Sequence, residues 1–326
     1  MNRTYYFYNN FDSTFMNQEF WLWTGFNVFV VLMLILDIGV FNKKSHEISI
    51  KEALLWSVLW IGLALLFNIG IWVYSTPQLA FEFATGYVIE KSLSVDNLFV
   101  FLALFNYFKV PAKYQHKVLF WGIVGALLLR AIFIIGGVAL ITTFHYIIYV
   151  FGAFLVYTGI KLFFNKDEQI EPEKNPLLKF IRRYIPVTKQ YYNDKFFIKR
   201  LGHTIATPLF VVLILIESTD VIFAVDSIPA VLAISKDPFI IYTSNIFAIL
   251  GLRTLYFALA GIVHIFHYLN AGMAIILMFI GAKMLVSDIY KLPIEVALGI
   301  VIAILIGSVV LSLLNPRAQQ SIVLKE

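Results

Sequence analysis

Cysteine does not occur once in the 326 residues. Disulfides, thiolate metal sites and cysteine nucleophiles are thereby excluded, and a carrier of soft, thiolate-bound metals is disfavoured, while the redox compartment is left open. Charge is nearly as scarce. Asp, Glu, Lys and Arg make up 14% of the chain, against about one quarter in a soluble domain, which excludes a water-soluble globule. The first 20 residues lack the basic start, apolar middle and small-residue cleavage site of a secretory signal, so no leader is expected to be removed and the first membrane helix is expected to act as the targeting signal. Catalytic signatures are missing as well. There is no Gly-x-Gly-Asp segment of an intramembrane aspartyl protease, no His-Glu-x-x-His metal site and no Gly-x-Ser-x-Gly nucleophile turn, so an enzyme is not expected.

What the chain has in abundance is apolar surface: 60% of residues are hydrophobic and 17% aromatic. They fall in blocks of about 20, the length an α-helix needs to cross a hydrocarbon core ~30 Å thick. Nine blocks stand near 21–41, 52–74, 86–108, 118–140, 144–164, 207–233, 240–263, 268–287 and 293–314. The expected fold is therefore all-α, a polytopic bundle of about nine membrane helices. Residues 1–20 form an outer N-terminal segment, 21–74 two leading helices, 165–206 a basic linker, 293–314 a final helix and 315–326 a tail. Trp21, Trp23, Trp72, Tyr74, Tyr107 and Trp121 sit near block ends, where amphipathic rings settle at the headgroup level.

The formal net charge of +5 invites a nucleic-acid reading, but the basic residues are one-sided. With the N-terminus outside and the C-terminus cytoplasmic, 17 Lys and Arg fall inside, while only Arg3, Lys236 and Lys291 fall outside. That asymmetry is a topology signal, and no aromatic-basic module accompanies it, so no nucleic acid is expected as a partner. The linker 165–206, with a basic amphipathic stretch around Leu177 to Ile185, is expected on the inner membrane surface, either as an anchor or as a regulatory element.

Self-similarity organises the centre of the chain. EKSLSVDNLFVFLAL from Glu90 lies over DVIFAVDSIPAVLAI from Asp220 without a gap, matching Glu90 to Asp220 and Asp96 to Asp226 at an offset of 130. Arg130 then matches Arg253 at 123; Phe144, His145 and Tyr146 match Phe266, His267 and Tyr268 at 122; Gly159 and Lys161 match Gly281 and Lys283 at the same offset. Each unit, 86–164 and 207–287, holds three spans, so the second enters the membrane from the opposite face. Inverted three-helix repeats are a transporter architecture whose site lies near the bilayer midplane, often on interrupted helices. Pro229 offers such an interruption and would free the Val225 carbonyl, or is simply a packing kink.

Six acids lie within the spans: Asp37, Glu90, Asp96, Glu217, Asp220 and Asp226. Ionised and uncompensated they would cost on the order of 15–20 kcal/mol, so either basic partners such as Arg130 and Arg253 or a bound cation must offset them. Their concentration at equivalent points of two oppositely directed helices favours a cation. With Asn97, Ser94, Ser218, Thr219 and Ser227 nearby, the donors are all oxygen, suited to magnesium, calcium or manganese rather than zinc or copper. Glu217 and Asp220 share a helical face, whereas residues six apart, Glu90 and Asp96 or Asp220 and Asp226, face different ways unless the helix unwinds or each serves a different partner. His145 and His267 are expected to pack at span ends, Lys161 and Lys283 to snorkel, and Asp37 to lie near the inner end of the first span.

EKSLSVDNLFVF and ESTDVIFAVDSIPAVLAI resemble the signature segments of the TerC family of bacterial membrane proteins, in the branch that includes Alx. The resemblance covers roughly residues 20 to 315 and implies a fold similar to the LysE-type exporter superfamily. It further implies a manganese exporter of the inner membrane, with manganese as the transported ion handled by Glu90, Asp96, Asn97, Glu217, Asp220 and Asp226, and Asp37 matching an acid of the family's first span. Some relatives serve membrane-protein biogenesis or metalation instead, which makes an assembly or scaffold role the alternative. The expected mechanism is alternating access, with Asp96 and Asp226 holding the ion at the repeat interface.

Overall fold

The computed structural model describes residues 19–36, 50–144, 146–164, 186–188, 190–200, 203–259 and 268–315. The linker stretch 165–185, His145, His267, Asp37 and the two chain ends lie outside the described residues. Helix α1 (Glu19–Leu36) stands in a unit of its own, Met1–His46, and is mostly exposed, as a helix facing lipid is.

The second unit, Glu47–Glu326, holds the rest. It comprises α2 (Ile50–Tyr74), α3 (Pro77–Tyr107), α4 (Ala112–Thr143), α5 (Ile147–Phe164), the hairpin β1 (Phe197–Arg200) and β2 (His203–Ala206), α6 (Pro208–Leu232), α7 (Pro238–Leu250), α8 (Leu252–Leu259), α9 (Leu269–Leu285) and α10 (Ile294–Leu314). Among the described residues, seven stretches, α1 included, are long and apolar enough to cross a membrane, with α7 and α8 together making one of them. Two more expected spans, α3 and α9, fall short of that measure. Helix α3 carries Glu82, Glu90, Lys91 and Asp96, and α9 has 17 residues. The molecule is a multi-pass helical membrane protein, and the broad exposure of its large apolar residues is the lipid-facing surface. Trp21, Trp72, Tyr74, Tyr107 and Trp121 are all exposed, as expected of rings at span ends.

Three helix starts share one device, proline in the first turn, where its missing N–H is no loss. Thr76 caps α3 by accepting from Leu79 N at 3.3 Å, with Pro77 next. Asp237 caps α7 by accepting from Phe239 N at 2.8 Å and Ile240 N at 3.1 Å, with Pro238 next. Pro208 opens α6. Consequently α3 begins nine residues before the expected third span, which brings Glu82 into it. The seventh span also differs from expectation, since it is two helices parted at Gly251. Pro229, by contrast, does not end α6, because Ala233 N still bonds Pro229 O at 3.0 Å and the helix runs on to Leu232.

The packing follows the repeat. Helix α3 packs on α7 while α6 packs on α4, so the first helix of each triplet lies on the middle helix of the other. The third helices, α5 and α9, form the most extensive pair. A Cβ on Gly281 would stand 2.6 Å from Gly152 O, and one on Gly159 2.7 Å from Ala274 O. The offset of 122 carries Gly152 to Ala274 and Gly159 to Gly281, so each contact is the image of the other, and the pair is antiparallel. Only residues without a side chain allow backbones so close, the same solution that small residues provide between membrane helices generally. The linker adds two short strands to an otherwise helical fold. Near them Val187, Tyr191 and Phe196 cover the apolar cluster at one end of α3, α4 and α6, which includes Phe105, Val118 and Leu209.

Candidate functional site

Helices α3 and α6 lie antiparallel in a register that four contacts fix. Ser235 Oγ, just beyond α6, donates to Glu82 at 2.6 Å, and Val231 stands 3.4 Å from where a Cβ on Gly86 would be. Arg130 then touches both Glu90 and Ser227, and Asn97 Nδ2 donates to Asp220 at 3.4 Å. Each step forward in α3 is matched by an equal step back in α6. The offset of 130 carries Glu90 to Asp220 and Asn97 to Ser227, so the Glu90–Ser227 level and the Asn97–Asp220 level are images of one another.

Between the two levels sits the guanidinium of Arg130, from the middle of α4. Nη1 pairs with Glu90 and donates to Asn245 at 3.0 Å; Nη2 pairs with Asp220 at 3.2 Å. All three partners of this ion triad are buried, Arg130 to 1% exposure, Glu90 to 0% and Asp220 to 4%. A planar fork suits that geometry, since it can face two carboxylates at once. One positive charge cannot balance two negative ones, however. Arg253 also lies deep, at 2% exposure, and lines a small cavity together with Asp220, Gly122 and Ala126.

Several oxygens here have no hydrogen-bond donor: Glu90 Oε2, Asp220 Oδ2, Asn97 Oδ1, Ser94 Oγ and Glu217 Oε2. Glu90, Ser94 and Asn97 follow at helical spacing along one face of α3, and Glu217 and Asp220 along one face of α6. Each buried oxygen left without a partner costs about 1–3 kcal/mol, so five on two touching helices form an electron-rich surface that a cation would relieve. The Glu217 carboxylate lies against Gly125 of α4, leaving no room there for a side chain. Among the described residues, no three of His, Asp and Glu are grouped so as to hold a metal ion.

The expected site residues thus separate. Glu90, Asn97 and Asp220 are joined around Arg130, and Glu217 stands one turn away. Asp226 turns elsewhere and accepts from Thr158 Oγ1 of α5 at 3.2 Å. Six residues from Asp220 on an unbroken helix it faces another way, serving a different partner, as the periodicity allowed. Asp96 belongs to α3, but its side chain lies outside the described residues, as does all of Asp37. Ser218 and Thr219 donate to carbonyls of their own helix, Leu215 O and Ile216 O, both at 2.8 Å.

Lys283, expected to snorkel, donates to Ala233 O at the end of α6, at 3.4 Å. Three participants were not singled out by the sequence. Asn245 is a lone amide in an apolar run. Glu82, buried and held by Gln78 and Ser235, precedes the third span expected at 86–108, although Thr76-Pro77 is a readable helix start. Lys91, a lone cation beside Glu90 in the third span, donates to Ala248 O at 3.1 Å.

Comparison with known proteins gives a consistent picture. Residues 75–320 match the model of the integral membrane protein TerC family. A membrane protein of Myxococcus xanthus, itself uncharacterized, is 51% identical over 296 residues, covering 91% of this chain and 93% of its own. The Escherichia coli K12 protein named "Putative membrane-bound redox modulator Alx" is 47% identical over 301 residues, 89% of this chain and 94% of its own. A Rickettsia bellii membrane protein is 42% identical over 293 residues, covering 90% and 97%. No solved structure matches.

Proposed function

The chain belongs to the TerC family of integral membrane proteins, and on that premise we propose that it exports a hard divalent cation, manganese before others, from the cytoplasm across the bacterial inner membrane. The observation that carries this reading is the meeting of Glu90 and Asp220, equivalent residues of two antiparallel helices, on one buried arginine, with an acceptor oxygen of each left unpartnered. An all-oxygen donor set prefers hard ions, and manganese sheds water more readily than magnesium's strict octahedron permits. The ion would displace part of Arg130's hold on the carboxylates, taking Asn97 and Ser94 as further ligands. Asp96 and Asp226, each six residues or about 9 Å further along its helix, would receive or release it. Because the two helices run in opposite directions, exchanging the roles of the two triplets exposes the site to the other face, which is alternating access. The N-terminus would lie outside and the C-terminus inside, and no bond-making chemistry is involved.

The redox name of the relatives finds no thiol here to act through, since the chain has no cysteine. A manganese-handling protein could still alter redox balance indirectly. The second reading, an assembly or metalation factor without transport of its own, draws on Arg130 itself, which already compensates part of the buried charge. Inside-out proteoliposomes with an internal manganese-quenched dye separate the two. Wild type should take up Mn2+, and Glu90→Gln or Asp220→Asn should slow uptake about tenfold or more. Vesicles in which the wild type moves no Mn2+, Mg2+ or Ca2+ would sink the transporter and leave the assembly role.

A further inference from the structure

A helix end inside a membrane is costly, because its last carbonyls find neither amide nor water. The break between α7 and α8 makes such an end in mid-span. Leu250 closes α7, Gly251 follows as its cap, and Leu252 opens α8. The Gly251 N–H turns back to Ile249 O, and Gly251 O accepts from Leu255 N at 3.1 Å. Ala248 O is met from outside the helix altogether, by the ammonium of Lys91 on α3, at 3.1 Å. Glycine is what admits it. A Cβ on residue 251 would stand 2.8 Å from Lys91 Nζ and 3.1 Å from Trp60 Cβ.

We propose that this break is a second cation site, for a monovalent ammonium-type charge, and that Lys91 fills it from within as a tethered counter-ion for the negative end of α7. The C-terminal end of a helix carries about half a negative charge, and a cation there is stabilising. The placement links the site to the ion triad. Lys91 follows Glu90 directly in α3, while Arg253 comes two residues after Gly251 and lines the cavity that Asp220 lines. A shift of α3 against α7 therefore moves Lys91 at the break and Glu90 on Arg130 together. Lys91 is in this sense a positioning residue. The coupling rests on the transport reading; the cation site does not.

The test begins with thermal melting of the purified full chain in detergent. Lys91→Ala should melt lower than wild type, and propylammonium chloride, which replaces the lost side chain, should raise it by several degrees while leaving wild type unchanged, since a ligand stabilises only where its site is vacant. Tetramethylammonium chloride and propanol, lacking either N–H donors or charge, should do neither. Equal responses of Lys91→Ala to all three additives, or none to propylammonium, overturn the proposal. Should Lys91→Ala fail to accumulate, Lys91→Gln keeps a donor for Ala248 O but drops the charge, and wild-type melting of that variant is equally fatal. In proteoliposomes Lys91→Ala should lose about tenfold in Mn2+ uptake and regain it with propylammonium. Selective stabilisation without any wild-type Mn2+ movement would refute transport and leave the cation site standing; wild-type transport without selective stabilisation would do the reverse.

Discussion

The middle helix of the first triplet, α4, runs unbroken for 32 residues, whereas its counterpart in the second is parted into α7 and α8 at Gly251. At the offset of 123, Gly251 stands where α4 has Leu128, and each is followed two residues later by a buried arginine, Arg130 or Arg253. Leu128 is exposed on the bundle's outer surface, while Gly251 receives Lys91. The two triplets keep Glu90 with Asp220 and Arg130 with Arg253 in register but differ in backbone at this point, and Lys91 has no charged counterpart, since Val221 stands at its offset. One triplet offers a rigid post for the ion triad, and the other a joint with a charge set into it.

The largest expected effect comes from removing the post's charge. Arg130→Ala leaves Glu90 and Asp220 buried without their shared partner and should cost about 3–5 kcal/mol, read as a collapse in melting temperature or membrane abundance. Arg130→Lys should rescue it only in part, because an ammonium lacks the fork. Next comes Gly251→Leu, which copies the first triplet into the second. Its side chain must displace Lys91 or Trp60, at about 1–3 kcal/mol of melting stability. A neutral result would mean that the break needs no glycine.

The third comparison sets two aspartates of α6 against each other. Asp220→Asn should lower Mn2+ uptake about tenfold, some 1.4 kcal/mol, and more than Asp226→Asn, whose amide oxygen can still accept from Thr158. The reverse order would move the centre of the site to the Asp226 level. The reciprocal swap, Leu128→Gly, should cost only about 1 kcal/mol, the propensity penalty of an exposed helical glycine.

The smallest effect lies where α4 begins. Lys117 Nζ pairs with Asp194 of the linker at 2.9 Å, both partly exposed. The hydrogen bond from Lys117 holds the Asp194 carboxyl below its ordinary range. A carboxyl lowered by folding adds stability that is complete above its unfolded value of about 3.9 and is lost as pH falls through the lower folded value. Asp194→Asn should therefore change melting by less than about 1 kcal/mol near neutrality, and the difference from wild type should begin to shrink as pH falls below about 4 and vanish only below the lowered folded value. Tyr191, which donates to Phe108 O at 2.6 Å, has its phenol pushed up to about 12 by burial and stays protonated throughout.

Much of this is legible in the sequence. Blocks of about 20 apolar residues can be little else than membrane helices, and Glu90 over Asp220 or Gly159 over Gly281 can be read by sliding the chain along itself. Other features were hidden for identifiable reasons. Pro229 was the conspicuous helix breaker, yet α6 continues through it because only one internal bond is forfeited. Gly251 was inconspicuous, and its importance depends on Lys91, 160 positions away. Asn245 carries no charge and repeats nowhere, so nothing in the chain marks it before Arg130 reaches it.

The sequence alone determined that the chain is a membrane bundle, that its centre is duplicated, and which acids are placed inside it, because hydropathy, spacing and self-similarity are properties of the chain. Which of those acids meet was decided only by tertiary structure. The rotation and register of α3 against α6 set Asn97 opposite Asp220 and Glu90 opposite Ser227, and turned Asp226 towards Thr158. One residue of slip rotates a helical side chain by about 100°, so no count along the chain could choose between the faces. Helix packing made that choice, through glycines that let backbones touch and one arginine that reaches both carboxylates.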